Sequence, residues 1–457
     1  MCQLFESEIW TEENFGSASL RDKRLSSRLK RVINKIALKP EASLPGQMES
    51  WKEVNGCYRL LNNPKVTHKR IQATHIEKTR KTASESKGEI ILFPQDGSEI
   101  EAQKSTKGAG PIGNHTCRGI MMHTCLAVAY NEKNPEVIGL ANQRIWERDD
   151  VVLHKNETRT QRNQRKGKES EHWLKTIKSI GSPPEGCRWV SIGDRGNDIY
   201  EFFCGVKQLK WDAVIRASQD RSIEVEGKQQ FLMEWTTSLP VGGSTTITMR
   251  RQGDSKPQEV TMFVAWGKVT ICPPKRIVGE TEPITLYVVR CFNEDEEINW
   301  VLYSTIPVNN LEESIEKIKW YACRWVIEEY HKCLKTGCKI ESNQFESIKP
   351  VEALLGILSI VALLMIQMKH LSRKDDGTLA SEVVPNTVLV VISRRYGLDE
   401  KKITVREFWR SVAQLGGFLG RKSDGDPGWQ TLWKGWLRLQ DMWVGAEALI
   451  NKQGQVI

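Results

Sequence analysis

The sequence contains no apolar run long enough to cross a lipid bilayer. Its longest such run, Ala353 to Ile366, is shorter than the roughly 20 residues that a membrane-spanning helix needs. We therefore expect a buried helix there and no membrane partner. The first twenty residues contain four glutamates and no lysine or arginine, the reverse of a secretory signal, so we expect a cytoplasmic protein.

Paired cysteines of the kind that bind zinc are also missing. The 11 cysteines include no C-x-x-C pair and no cluster with histidine at zinc-ligand spacing. An odd number of dispersed cysteines is typical of reduced intracellular thiols. This excludes a small disulfide-stabilised secreted domain.

What the sequence does contain is the composition of a folded protein of several domains. Hydrophobic residues make up 39% and charged residues 27% of its 457 residues. The net charge is +9, and within residues 1–87 lysine and arginine clearly outnumber aspartate and glutamate. Such a segment attracts a polyanion, usually nucleic acid, although an ordinary solvated face explains a basic surplus about as often.

The charge and hydropathy patterns divide the chain into three parts. Residues 1–70 predict a small basic helical domain, because apolar residues recur at spacings of three and four after Arg21. Residues 71–371 predict a mixed α/β core with an all-β insertion at about 220–308. Residues 372–457 predict a helical, tryptophan-rich C-terminal domain.

Two aspartates follow strand-like runs of the predicted core. Asp96 comes after IILFPQ and Asp194 after RWVSIG. In an α/β sheet, ligands bind beyond the carboxyl ends of the strands, and magnesium prefers carboxylate oxygens. We therefore expect these two side chains at a magnesium site, with a third carboxylate from a neighbouring helix. A turn or helix-cap role is the alternative for each aspartate taken alone.

The helix predicted from 318 onward offers the third carboxylate. On a continuous helix, Tyr321, Arg324, Glu328 and Lys335 share one face. This face combines a phenol, a guanidinium, a carboxylate and an ammonium, which suits the binding of a metal and a phosphate. The alternative is a solvated face with an Arg-to-Glu pair worth about 0.2–0.5 kcal/mol.

The spacing Y-x2-R-x3-E-x6-K of this helix resembles the signature of bacterial cut-and-paste DDE transposases, the family of the transposon-five transposase and its insertion-sequence relatives. The resemblance extends over nearly the whole chain, with separate motifs in the same order. These are RDKRLSSRLKRV, GCYRLLNNPKVT, PQDGSEI, GDRGNDIY, INWVLYSTIPV and LGGFLGRKSDGDPGWQTLWKGW. The N-terminus is similar to the full-length forms of that family.

The resemblance implies a ribonuclease-H-like catalytic core in which Asp96, Asp194 and Glu328 hold two Mg2+ ions, with Mn2+ as a substitute. It implies that the protein nicks transposon ends, forms and opens hairpins, and transfers strands into target DNA without a protein nucleophile. It also implies a homodimer that pairs two double-stranded terminal repeats.

The same resemblance implies a set of DNA contacts. Trp300 matches an aromatic residue on which a flipped base stacks, and Tyr321, Arg324 and Lys335 match a phosphate clamp beside it. The remaining expected contacts are Arg216, Arg24 and Arg28.

Two other functions remain as alternatives. The first is a transposase-derived DNA-binding regulator or inhibitor that no longer cuts DNA, against which the three carboxylates argue. The second is a ribonuclease-H-like nuclease acting on RNA hybrids, which has no need of Trp300 or of the N-terminal and C-terminal domains. Within GDRGNDIY, Gly196 and Asn197 depart from the family pattern, whereas Asp198 keeps it, with a helix cap as its alternative role.

Overall fold

The N-terminal part of the molecule is helical. The computed structural model describes residues 7–453 except 17–19, 21, 114–115, 133–134, 151–167, 250–257, 275–281 and 422. Its first five helices are α1 (Ser7–Phe15), α2 (Lys23–Leu38), α3 (Leu44–Gln47), α4 (Trp51–Leu61) and α5 (His68–Glu85). Asp22 caps α2 by accepting hydrogen bonds from the backbone N–H groups of Arg24 and Leu25. The predicted amphipathic helix is α2, which buries its apolar face and exposes its arginines.

The middle of the chain forms one mixed sheet of twelve strands. The strands are β1 (Ile90–Ala102), β2 (Gly110–Ile112), β3 (Cys117–Ala129), β4 (Glu136–Trp146), β5 (Arg188–Gly193), β6 (Asp212–Arg216), β7 (Ser222–Val225), β8 (Lys228–Phe231), β9 (Gly243–Met249), β10 (Gln258–Ile271), β11 (Ile284–Phe292) and β12 (Asn299–Ser304). Their order is β2-β3-β1-β5-β6-β12-β11-β10-β7-β8, with β4 beside β3 and β9 beside β10. The β1–β5 and β5–β6 pairs are parallel, and the other pairs are antiparallel.

Alternation along β1 places its side chains in two different cores. Ile91 and Phe93 pack in one cluster with residues of α6 (Glu171–Ile180) and α7 (Tyr200–Leu209). Leu92 faces the other cluster, which contains the long helix described below. The sheet is thus covered by helices on both faces where β1 and β5 lie at its centre.

The predicted all-β insertion is not entirely β. A short helix, α8 (Leu232–Ser238), lies within it and buries Leu232, Trp235 and Thr236. The expectation that no helix occurs between 220 and 308 was therefore wrong. Seven residues are too few for a helical period to be visible in the sequence, and this helix depends on packing against the sheet.

The helix predicted from 318 onward is interrupted. Helix α9 (Leu311–Ala322) ends before Cys323 and Arg324, and α10 (Trp325–Lys332) begins after them. The Arg324 N–H bonds to the Tyr321 carbonyl three residues back, which tightens the chain at the junction. A π-helical turn over Cys333–Gly337 follows α10. The prediction that all four residues of the motif lie along one continuous helix was therefore wrong.

A long apolar helix runs through the core. Helix α11 (Ile348–Leu371) contains the predicted buried run and is long and apolar enough to cross a membrane, but 89% of its most apolar window is buried inside the structure. It packs against α5 and β4 on one side and against the C-terminal helices on the other. It is therefore a core helix and not a membrane span.

Three helices make up most of the C-terminal part. They are α12 (Asn386–Tyr396), α13 (Val405–Leu415) and α14 (Trp429–Gln453). Thr404 and Glu407 form a capping box at the start of α13. Of the tryptophans in this region, Trp409, Trp429, Trp433 and Trp436 are buried, which gives it a packed aromatic core.

Candidate active site

The two predicted aspartates lie at the same edge of the sheet. Asp194 directly follows β5, and Asp96 lies two residues beyond Pro94, the last residue of β1 that pairs with β5. The sequence predicted that the strand ends before Asp96, but β1 does not end there. It continues to Ala102 because β3 pairs with it further along, with Asp96 opposite Thr124. The site therefore forms where β1 leaves its parallel neighbour.

Asp96 occupies an electrostatically unfavourable position. Burial is the largest of the causes that raise the pKa of its carboxyl group to about 6, and the neighbouring charges of Asp194 and, more weakly, Glu328 contribute to this rise. The Arg324 guanidinium and the Gly97 N–H oppose this rise. Asp194 and Glu328 are thus both close enough to Asp96 to act on its carboxyl group electrostatically.

Arg324 links two of these carboxylates. Its Nη1 lies 3.2 Å from Asp96 Oδ2, and its Nη2 lies 2.6 Å from Glu328 Oε1. The Arg324 side chain is only 11% exposed. The junction between α9 and α10 therefore places a guanidinium between the sheet edge and α10.

The donor set fits a hard divalent cation. Carboxylate oxygens are the ligands that Mg2+ and Mn2+ prefer, and the buried Asp96 carboxyl group, whose pKa is raised, benefits from added positive charge. Among the described residues, however, no three His, Cys, Asp or Glu side chains are arranged as a ready-made metal site. Asp96 and Glu328 each bond to the Arg324 guanidinium instead.

Asp194 is held by a tight turn. Its Oδ1 accepts a hydrogen bond of 2.9 Å from the Gly196 N–H. A Cβ at position 196 would lie 3.1 Å from that same oxygen and 3.2 Å from the ring of Trp173. Glycine therefore gives the turn room against Trp173, which is a physical reason for this departure from the family pattern.

Trp300 and Tyr321 contact each other beside this site. Trp300 lies on β12 and Tyr321 near the end of α9, with ring centroids 5.3 Å apart at an angle of 67°. Trp300 is 7% exposed and Tyr321 is 3% exposed. Base stacking on Trp300 remains a prediction, and it requires the buried indole to become accessible.

Lys335 and Arg216 bond to partners other than the three carboxylates. Lys335, in the π-helical turn, forms an ion pair of 3.3 Å with Glu341. Arg216 ends β6, and its Nη2 donates to the Asn299 carbonyl at 3.3 Å. Both remain predicted DNA contacts.

Arg24 and Arg28 lie on the exposed face of α2, four residues apart, where both can face a phosphate backbone. They belong to a different part of the fold from the three carboxylates.

Glu329, the neighbour of Glu328, faces elsewhere. It forms an ion pair with Lys369 of α11. Adjacent positions on a helix differ by about 100°, which separates the two glutamates.

Asp198 is not a helix cap, so the alternative role that the sequence allowed was wrong. Its buried carboxylate pairs with Arg221 and accepts hydrogen bonds from two backbone N–H groups beyond β6. Arg221 is 23 residues away along the chain, and no local pattern in the sequence indicates this pairing.

Gln143 on β4 is a second polar residue that sequence reasoning missed. Its buried side-chain amide is fully hydrogen bonded and joins α5, β3, α10 and α11. Its partners are His68, Gln72, Met122, Thr124, Tyr330 and Ser359. The hydrogen bond to Tyr330 ties the helix that carries Glu328 to the core.

Three family models match the chain in order. A transposase DNA-binding model matches residues 7–66, a transposase DDE domain model matches 141–364, and a Tn5 transposase dimerisation model matches 388–449. The DDE match includes Asp194 and Glu328 and begins after Asp96. The mixed sheet described above is accordingly the ribonuclease-H-like core of a DDE enzyme. The chain belongs to the Tn5-like DDE transposases, enzymes that carry out metal-dependent phosphoryl transfer on DNA.

Proposed function

We propose that this transposase binds the terminal repeats of a DNA transposon, pairs two ends as a homodimer, excises the element through hairpin intermediates and inserts it into target DNA. The observation that best supports this function is the meeting of the Asp96, Asp194 and Glu328 charges at one sheet edge, beside Arg324. Since its substrate is DNA, we place it in the bacterial cytoplasm, at the nucleoid when bound.

The proposed metal ligands are Asp96, Asp194 and Glu328, and the proposed cofactor is a pair of Mg2+ ions, replaceable by Mn2+. When bound, such ions supply Lewis-acid activation of the attacking oxygen and charge stabilisation of the leaving oxygen. Water first attacks phosphorus and displaces the 3′-oxygen at the transposon end. The freed 3′-hydroxyl then attacks a phosphorus of the opposite strand, which closes a hairpin and releases the 3′-oxygen of the flanking DNA. No serine or cysteine nucleophile is required.

The protein's other side chains then bind and orient the DNA. We propose that Tyr321, Arg324 and Lys335 hold phosphates near the cleaved end, and that Trp300 stacks on a base removed from the duplex. A DNA phosphate competes with Asp96 and Glu328 for the Arg324 guanidinium. Binding of the end therefore frees the two carboxylates to act as ligands.

End cleavage by Glu328→Gln, compared with Glu329→Gln, tests the proposed site. We expect Glu328→Gln to reduce cleavage in Mg2+ at least 100-fold and to retain end binding, because it removes a metal ligand. Glu329→Gln changes the adjacent residue, which pairs with Lys369, so it should lower the melting temperature but retain cleavage. Undiminished nicking by Glu328→Gln would show that Glu328 is not a metal ligand and that the metal site lies elsewhere. Chelation of the metal should stop cleavage in the wild type, and Mn2+ should restore it.

A further inference from the structure

Asp198 and Arg221 form a buried ion pair between two loops at the active-site edge. Arg221 Nε lies 3.0 Å and its Nη2 2.6 Å from Asp198 Oδ1, and Nη2 also donates to the Asp198 carbonyl. The Asp198 side chain is fully buried and that of Arg221 is 10% exposed. A charge pair removed from water in this way persists only when its hydrogen bonds are satisfied.

The second carboxylate oxygen of Asp198 also accepts several hydrogen bonds. Oδ2 accepts hydrogen bonds from the N–H of Ser218 at 2.8 Å and of Gln219 at 3.0 Å, with the Ser218 hydroxyl at 3.4 Å. These contacts occupy the carboxylate from several sides, so it is not available as a metal ligand. Asp198 therefore acts on the site through the backbone that it holds.

The two loops joined by this pair each carry a residue of the proposed site. Asp198 lies four residues after Asp194, in the connection from β5 to α7. Ser218 lies two residues after Arg216, at the end of β6. Because β5 and β6 are parallel neighbours, both loops emerge at the same sheet edge.

We propose that Asp198 and Arg221 are positioning residues that fix the Asp194 loop against the Arg216 loop, so that the metal ligand and the DNA contact keep one relative placement. The inference rests on the proposed roles of Asp194 and Arg216. Residues that orient metal ligands from behind typically change metal affinity or activity 10–100-fold when altered.

The test compares Asp198→Asn with Glu296→Gln, the matched control. Glu296 pairs at 2.9 Å with Arg290, whose side chain is 4% exposed, in the hairpin between β11 and β12. Both changes therefore neutralise the partner of a buried arginine. Asn keeps one oxygen for the Ser218 and Gln219 amides, and Arg221→Lys serves as a second variant should Asp198→Asn not fold.

Two readouts are measured on the full chain bound to a transposon end. The first is amide hydrogen exchange, for which we expect Asp198→Asn to accelerate exchange in 193–199 and 216–221 together, while Glu296→Gln leaves both segments unchanged. The second is the Mn2+ dissociation constant, measured by electron paramagnetic resonance on complexes with a precleaved end so that the metal does not cut the DNA, for which we expect a 10–100-fold increase in Asp198→Asn alone. Unchanged exchange in 193–199, or equal effects in Glu296→Gln, would overturn the positioning role.

The same experiment separates this inference from the proposed function. Asp194→Ala is included as the reference for metal binding. If Asp194→Ala binds Mn2+ as well as the wild type does, the proposed ligand set fails. The joint loosening of the two loops in Asp198→Asn would still support the link between them.

Discussion

Arg324 contacts two of the three proposed metal ligands, and this predicts competition between the guanidinium and a divalent ion. In Arg324→Met, Asp96 and Glu328 lose a charge-assisted partner, so the chain without DNA should bind Mn2+ more tightly, by about tenfold, since such hydrogen bonds contribute roughly 1.5–3 kcal/mol. Its affinity for the transposon end should fall. Calorimetric titration with Mn2+ measures the first effect.

Lys335→Met is the matched control for this prediction. Lys335 is a cation of the same proposed phosphate clamp, but its ion pair is with Glu341. Its removal should weaken end binding without raising the affinity for Mn2+. The competition is refuted if Arg324→Met and Lys335→Met bind Mn2+ equally well.

Trp300→Ala should slow hairpin formation more than first-strand nicking. The indole is proposed to receive the flipped base, and stacking contributes about 1–3 kcal/mol per base. Truncation of this buried ring also destabilises the fold, by about 3–5 kcal/mol. Leu302→Ala, on the same face of β12, controls for that cost. Single-turnover rates of both steps are measured below the melting temperature of either variant. Hairpin formation should be slowed more than nicking in Trp300→Ala, whereas Leu302→Ala should affect the two steps equally. Equal loss of both steps would indicate a structural role.

At the scale of elements, His75 attaches α5 to both α1 and the sheet. Its Nε2 accepts from the Leu140 N–H at 2.9 Å, and its Nδ1 lies 2.6 Å from Asn14 Oδ1, so the ring is neutral with its proton on Nδ1. Burial, with a smaller contribution from the charge of Lys78, lowers the pKa of His75 to about 3. Protonation would direct an N–H at the Leu140 N–H and break the contact with β4.

This arrangement predicts acid sensitivity of the N-terminal packing. The folded pKa lies below the unfolded value of about 6.5, so between these two values the unfolded chain binds a proton that the folded chain does not. The stabilisation is complete above about pH 6.5 and is lost as the pH falls, by about 2 kcal/mol between pH 7 and pH 5. His75→Gln, which keeps an acceptor for Leu140, should show a shallower fall in melting temperature over this range. Asn14→Ala should lower the melting temperature at both pH values and leave the slope as it is. An unchanged slope in His75→Gln would contradict the assignment.

The elements that sequence patterns predicted are those whose signal is local. The buried run of α11 and the charged face of α2 are visible in neighbouring residues, and the family resemblance supplied the order of the domains. The break at Arg324 was missed because it depends on a hydrogen bond between backbone groups three residues apart. The helix α8 was missed because it depends on tertiary packing. The partners of Asp198 and Gln143 were missed because they lie far along the chain and no periodicity connects them.

The same division holds for the site itself. Strand-end placement and helix spacing pointed to the three carboxylates from the sequence. Sequence patterns did not reveal that Arg324 bonds to two of them, because that geometry depends on the junction between α9 and α10.

At the scale of the whole molecule, the dimerisation domain predicts which apolar side chains matter for pairing two DNA ends. Leu419 and Val444 lie within residues 388–449, and they are 68% and 64% exposed. Leu419→Glu with Val444→Glu should reduce the complex that contains two ends, because burial of a charge opposes association, while binding of a single end persists. Val241→Glu, at an apolar position of similar character that is 52% exposed in the β-rich insertion, should leave both complexes intact. Gel mobility of complexes with one and two labelled ends distinguishes them, and an unaltered two-end complex in the double variant would place the interface elsewhere.

The central claim is that one carboxylate site in each chain cuts both strands of a transposon end. Its most direct test is incubation of the purified chain with Mg2+ and linear DNA carrying its element's two ends, with the products resolved on denaturing gels. The account predicts nicks, hairpins and excised fragment for the wild type, and none of them for Asp96→Ala despite retained end binding. Tight, end-specific binding by the wild type without any cut product would contradict it and would identify the protein as a regulator derived from a transposase.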